Sequence, residues 1–159
     1  MAEVEEAPVQ PLEALTSMAS SSLHQELILQ HYRNSRKRGA IESPDLEGCG
    51  TNPVCGDEIR LQLQLDGDRI VTARFQGHGC SISQAAASMM AQLIEGLTLA
   101  DAATLHERFV QLLRGDRAAA SDALLGDLRA LAGVARFPAR TRCALVPWDA
   151  LVSAKEVTR

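Results

Sequence analysis

The stretch Glu58-Ile59-Arg60-Leu61-Gln62-Leu63-Gln64-Leu65-Asp66-Gly67 decides the fold. Ile59, Leu61, Leu63 and Leu65 alternate strictly with Arg60, Gln62 and Gln64, the period-two pattern of a strand with one buried face. Asp66-Gly67 is a hairpin turn signal, and Val71, Ala73 and Phe75 alternate on the way back. These residues predict an antiparallel hairpin. Cys55-Gly56-Asp57 lies just before its first strand, and Gly77-His78-Gly79-Cys80-Ser81 follows its second. Antiparallel strands place both motifs at the same end of the hairpin, so the topology itself brings two thiols together.

Those two motifs carry chemistry. Cys55 and Asp57 are two residues apart, so an extended segment projects both to one face. Gly56 between them allows a ligand to approach the backbone closely. Cys80 precedes a predicted helix, whose N-terminal dipole favours a thiolate. A third thiol stands in Phe137-Pro138-Ala139-Arg140-Thr141-Arg142-Cys143, with Arg140 one helical turn before Cys143. Three thiols and one carboxylate suffice to close a tetrahedral zinc site. We therefore expect Cys55, Asp57, Cys80 and Cys143 to meet around one metal, with one thiolate reactive there. The rival reading, buried and inert thiols, explains one such residue but not three flanked by glycine or charge.

Taken in order, residues 1–20 hold Pro8, Pro11, several acids and a serine run, and are expected to be a flexible tail. A single domain over 21–155 follows. A helix is predicted after Ser22, with Gln25 completing a capping box, ending near Asn34. Residues 34–50 read as loop because of Gly39, Pro44, Gly48 and Gly50. Beyond the hairpin, a helix is predicted over Ser81–Ile94, with Met89 and Met90 as core filler. A second is predicted from Leu99 to Arg114, capped by Thr98, and a third from Asp122 to Leu131, closed by Gly133. The last begins near Pro138 and carries Cys143, and Pro147 is expected to kink or end it. The fold class is α+β: a small antiparallel sheet with helices on one side.

Composition narrows the function. With 159 residues, 46% hydrophobic and 23% charged, the chain reads as one ordinary globular domain. A formal net charge of -4 argues against nucleic acid as a partner. No apolar run approaches membrane-spanning length, and Glu3, Glu5 and Glu6 are wrong for a signal or transit peptide. A cytoplasmic location is expected, where disulfides are rare and four cysteines point to metal or catalysis. The basic run Arg33, Arg36, Lys37 and Arg38 is either a solvated loop or a docking patch. His78 is read as a solvated loop residue, or as an alternative ligand or proton carrier. His31 is a packing or docking residue, and His24 and His106 lie at the surface or core edge.

The chain resembles the SufU-type sulfurtransferases, a branch of the IscU-like iron–sulfur cluster assembly proteins. The resemblance spans about Ser22 to Leu151. It is carried by His31-Tyr32-Arg33-Asn34, Asn52-Pro53-Val54-Cys55-Gly56-Asp57, Gly79-Cys80-Ser81-Ile82-Ser83, Ala87-Ser88-Met89-Met90 and Arg136-Phe137-Pro138-Ala139-Arg140. It implies zinc held by Cys55, Asp57, Cys80 and Cys143. It also implies that Cys55 accepts sulfur from the persulfide of a pyridoxal-phosphate cysteine desulfurase, for iron–sulfur assembly machinery downstream. Arg140 is expected to offset part of the site's negative charge. The scaffold branch usually has a histidine before its last cysteine, where this chain has Arg142, and a shorter connection between the second and third cysteines. Both departures favour the sulfurtransferase branch over a cluster scaffold. A zinc module that only recruits a partner is a third reading. Cys49 matches none of these motifs and is expected not to be a ligand.

Overall fold

The computed structural model describes residues 12–157. Its elements are α1 (Leu12–Arg33), β1 (Leu46–Asn52), β2 (Asp57–Asp66), β3 (Arg69–His78), α2 (Ser81–Ile94), α3 (Leu99–Leu113) and the short α4 (Arg117–Ala120). A 3₁₀ segment over Ala123–Arg136 and the long α5 (Pro138–Val157) complete the chain. The strands form one antiparallel sheet in the order β1-β2-β3. Along β2, Asp57, Ile59, Leu61 and Leu63 turn inward, while Arg60 and Gln64 face out. The helices cover that inner face, and Phe75, Ile59, Leu61, Met89, Met90, Phe109 and Trp148 share one core. This is the expected α+β arrangement.

The hairpin forms as its pattern predicts. Asp66 pairs with Arg69, so Gly67 and Asp68 make a two-residue turn, and Gly67 adopts φ 62°. The preceding region differs from expectation. Residues 46–52 form an edge strand with every second position buried: Leu46, Gly48, Gly50 and Asn52. Two of those positions are glycines, so the alternation left no apolar signal in the sequence. Their role lies in packing. A Cβ at Gly48 would collide with the backbone of Ala150 and Ala154, and one at Gly50 with the carbonyl of Val146. Helix α5 therefore rests directly on the backbone of β1.

That seat also explains Pro147. The helix was expected to kink or end there, but it runs on to Val157. Pro147 forgoes one backbone hydrogen bond. The buried row Val146, Ala150 and Ala154 against β1, together with buried Trp148, holds the helix beyond it. Helical stability here comes from a packed face rather than from local propensity.

The N-terminal boundary needs correction. Helix α1 begins at Leu12, immediately after Pro11, and not after Ser22. Leu12, Ala14, Leu15, Met18 and Ala19 are good helix formers, and proline commonly stands just ahead of or within a first turn. Of the expected tail, 12–20 is thus helical, and 1–11 lies outside the described residues. Downstream, α4 was not foreseen. The third helix is a 3₁₀ segment interrupted at Gly126 (φ 49°, ψ -129°), and it continues past Gly133 to Arg136.

Side chains stitch these layers together. Buried His31 reaches Ser88 Oγ at 2.8 Å through Nδ1 and Asp127 Oδ2 at 2.8 Å through Nε2. The Arg36 backbone N–H donates to the same Ser88 hydroxyl at 2.7 Å. A Ser88 proton directed at Nδ1 leaves Nε2–H for Asp127, which satisfies all three groups. Half of the basic run is likewise structural. Arg38 lies 4.7 Å from the centre of the Phe75 ring and donates to Gln84 Oε1 at 2.7 Å. Lys37 pairs with Glu95 at 2.7 Å, and Arg74 reaches the same carboxylate at 2.6 Å.

Burial works to raise the pKa of Glu95, but Lys37, the Ala73 N–H and Arg74 outweigh it and hold the carboxyl below its ordinary 4.5. A depressed folded pKa contributes stability that is complete above the ordinary value and lost as pH falls through the folded one. Glu95→Gln is expected to cost about 1–2 kcal/mol at pH 7. Urea midpoints of the two proteins should converge as the pH is lowered toward 3. A constant gap would assign the loss to packing instead.

Candidate metal centre

Strands β1 and β2 are joined by the turn Pro53–Gly56, so the Cys55 motif is the turn of a second hairpin. Asn52 pairs with Asp57 across its base. The Asn52 carbonyl accepts the Cys55 N–H at 3.2 Å, and Gly56 takes φ 69°. Asp57 is therefore the first residue of β2, aimed inward, and only 2% exposed. Cys80 caps α2 with an extended backbone and no side-chain cap bond, which leaves its thiol free of a capping role. Cys143 is fully buried on α5.

One ligand atom each from Cys55, Asp57 and Cys143 lies within 4.8 Å of the others. Cys80 stands at the margin of this group. Its backbone N–H donates to Asp57 Oδ1 at 2.8 Å, and its sulfur lies 3.9 Å from Ser83 Oγ. The exposed Arg140 guanidinium faces the sulfurs of Cys80 first, then Cys143 and Cys55, and these hold its proton more firmly. All five candidate residues are thus drawn to one end of the sheet. Cys49 is not. It lies on the outward face of β1, 3.8 Å from Glu58 Oε1, and desolvation followed by the Glu58 charge raises its pKa. His78 is exposed at the end of β3, 4.0 Å from Glu58, and joins no metal-ligand cluster among the described residues. His106 stacks on Trp148 at the core edge, with ring centroids 5.1 Å apart.

Asp57 is held from several sides. Burial works to raise its pKa, but hydrogen bonds from the Cys80 N–H, Cys143, Ser83 and the Cys80 thiol outweigh it and keep the carboxyl ionised. Ser83 Oγ approaches Asp57 Oδ1 at 3.0 Å, the same oxygen that accepts from Cys80. Gly79 makes this approach possible, since a Cβ there would strike that oxygen and the Asp57 Cα. The Cys143 thiol is pushed far up by desolvation, then by hydrogen bonds to Asp57, Cys55 and Cys80. The donor set of soft sulfurs plus one carboxylate fits zinc in number, charge and softness. Asn52, Gly79 and Ser83 stand inside the cysteine motifs, but residue type and spacing mark no role for them. Their only signal was adjacency to Cys55 and Cys80.

Arg140 also lines a groove of about 570 Å³, together with His24, Ile28, Ile82, Arg136 and Phe137. A larger groove of about 750 Å³ lies between α3 and the 3₁₀ segment, lined by Leu93, Leu105 and Leu124 among others. None of the four candidate ligands borders either groove, so size does not mark the chemistry here. No helix among the described residues is long and apolar enough to cross a membrane.

A sulfur-rich donor cluster at one end of a three-stranded sheet defines a small α+β protein built to present thiols to a metal. The chain belongs to the NifU-like N-terminal domain family, whose profile matches residues 23–144. It is 42% identical over 131 residues to the zinc-dependent sulfurtransferase SufU of Bacillus subtilis (strain 168), covering 82% of this chain and 87% of that one. It is 33% identical over 132 residues to the iron–sulfur cluster assembly scaffold protein IscU of Streptococcus pyogenes serotype M1, covering 83% and 82%. Among solved structures it is similar to FiSufU from Fervidobacterium islandicum AW-1, with a TM-score of 0.75 at 34% identity, covering 81% of this chain and 93% of that one.

Proposed function

We propose that this protein is a zinc-dependent sulfur acceptor and carrier in iron–sulfur cluster assembly, acting in the cytoplasm through one domain over residues 21–155. The observation that carries the reading is the convergence of Cys55, Asp57 and Cys143 within 4.8 Å, with Cys80 and Arg140 at the rim. Cys55, Asp57, Cys80 and Cys143 would hold the zinc. Bound zinc keeps cysteines as thiolates at neutral pH and takes no part in redox chemistry. The likeness to a protein named for zinc-dependent sulfur transfer supports the same conclusion.

The donor is a persulfide on a pyridoxal-phosphate cysteine desulfurase. The Cys55 thiolate attacks the outer sulfur of that persulfide. A new S–S bond forms on Cys55, the donor's S–S bond breaks, and the donor cysteine leaves as its thiolate. Charge and oxidation level are conserved overall. Arg140 stands where it offsets the charge of three thiolates and one carboxylate, and where it meets the incoming anionic persulfide. The carried sulfur then passes to the downstream assembly machinery.

The test joins elemental analysis of purified protein to desulfurase turnover. One zinc per chain and cysteine-dependent acceleration of the desulfurase are expected. Iron in place of zinc, or no acceleration, would refute the reading. In the same assay Arg140→Ala should retain the metal and lose about 10-fold or more in transfer, as expected for a charge that stabilises a developing anion. Undiminished transfer would return Arg140 to the surface. Likeness to the IscU scaffold keeps a second reading, cluster assembly on the same residues. A stable, transferable cluster after anaerobic reconstitution would favour it.

A further inference from the structure

Asn52 is a buried amide placed against two of the candidate ligands. It is 2% exposed at the end of β1. Its Nδ2 lies 3.5 Å from Asp57 Oδ2 and 3.5 Å from Cys143 Sγ. Its backbone carbonyl closes the turn that carries Cys55. Its Oδ1 is buried and has no hydrogen-bond partner among the described residues. The amide orientation follows from chemistry. Turned over, Oδ1 would face the acceptor oxygen of Asp57 in place of a donor. A bare buried carbonyl is unfavourable by the desolvation of that group. The engaged N–H side offsets part of that cost.

We infer that Asn52 is the positioning residue of the metal centre: its side-chain N–H groups brace Asp57 and Cys143 together and keep Cys143 the unreactive sulfur, so that Cys55 is the one that accepts. The inference rests on the zinc reading proposed above. Asp57 has its oxygens divided. Oδ1 accepts from the Cys80 N–H and Ser83, and Oδ2 accepts from the Asn52 amide. Asn52 and Ser83 thus hold one carboxylate oxygen each. Cys143 comes from α5, far away in sequence, and Asn52 is a side chain from the sheet whose amide nitrogen reaches its sulfur. An N–H donor draws lone-pair density from sulfur and lowers its nucleophilicity. Among the described residues no amide N–H is bonded to the Cys55 sulfur. The two sulfurs therefore differ in reactivity although they share one centre.

The test compares wild type with Asn52→Asp, which keeps the shape and removes the N–H donor, and Asn52→Ser, which is too short to reach both partners. Asn52→Ser stands in if the buried carboxylate of Asn52→Asp prevents folding. Zinc affinity is read by competition with a chromophoric chelator. Relative labelling of Cys55, Cys80 and Cys143 in the zinc-loaded protein is read by limiting iodoacetamide and peptide mass spectrometry. The variants should lose roughly 10–100-fold in zinc affinity, the usual effect of removing an outer-sphere partner. Cys143 should be labelled several-fold faster relative to Cys55 than in wild type. Unchanged affinity together with an unchanged labelling ratio would overturn the inference. An equal rise in labelling at all three cysteines would also overturn it, because that marks a loosened turn and not a lost donor. Wild type that binds no zinc would sink the zinc reading itself, whereas zinc-binding wild type with unaffected variants sinks only the role of Asn52.

Discussion

Cys55→Ser is expected to abolish sulfur acceptance. After incubation with a cysteine desulfurase and cysteine, alkylation and peptide mapping should find a persulfide on Cys55 of the wild type and none on the variant. All three site thiols are candidates by chemistry, so the assignment rests on where the fold puts them. Cys143 is fully buried on α5, and that helix is seated against the backbone of β1. Cys80 is the N-cap of α2, and its N–H is committed to Asp57. Cys55 is half-buried on the turn Pro53–Gly56, beside exposed Val54 and a glycine at φ 69°. Moving its sulfur toward a partner disturbs one turn and no packed helix, and short turns open at low free-energy cost. Label found mainly on Cys80 or Cys143, or transfer that persists in Cys55→Ser, would defeat the assignment.

Gly48→Ala is expected to destabilise the fold strongly, although it adds a single methyl group. Its Cβ would fall on the Ala150 carbonyl and the Ala154 backbone. Backbone cannot rotate away as a side chain can, so α5 must lift from β1. Overpacking of a dense core costs about 1–3 kcal/mol and sometimes more, and a backbone collision belongs at the upper end. The same shift would pull Cys143 from Asp57 and Asn52, so zinc affinity should fall with stability. Gly133→Ala is the control. A Cβ there meets nothing within 4 Å, and an unstrained alanine should stay within about 0.5 kcal/mol of wild type. A Gly48→Ala protein with the urea midpoint of wild type would show that the seat of α5 yields easily.

The hairpin, α2 and α3 were legible because each rule that describes them is local. Alternation at 59–65 and the Asp66-Gly67 turn specify β2 and β3 within one stretch of chain. Helix α2 begins and ends where an unbroken run of small and apolar residues does. Strand β1 was illegible for an equally physical reason. Its inward positions at 48 and 50 carry no side chain, and glycine in isolation reads as loop. Only the presence of α5 reveals why side chains are excluded there. Pro147 misled in the same way, since the rule against proline in helices concerns the helix alone. The early start of α1 at Leu12 was hidden by the prolines and serines around it.

The candidate site divides along the same line. Cys55, Asp57, Cys80, Cys143 and Arg140 were readable from the sequence by residue type, spacing and family likeness, because thiols and carboxylates announce their chemistry. That Cys55 and Cys80 lie at one end of the sheet followed from antiparallel pairing alone. Tertiary structure decided the rest. It brought Cys143 to the cluster, turned Cys49 to the opposite face of the sheet, and set Asn52, Gly79 and Ser83 around Asp57. Those outcomes depend on contacts between residues far apart in the chain, and on the close approach of α5 that two side-chain-free positions allow. Local sequence carries the identity of a reactive group, but its burial, partners and neighbours are properties of packing.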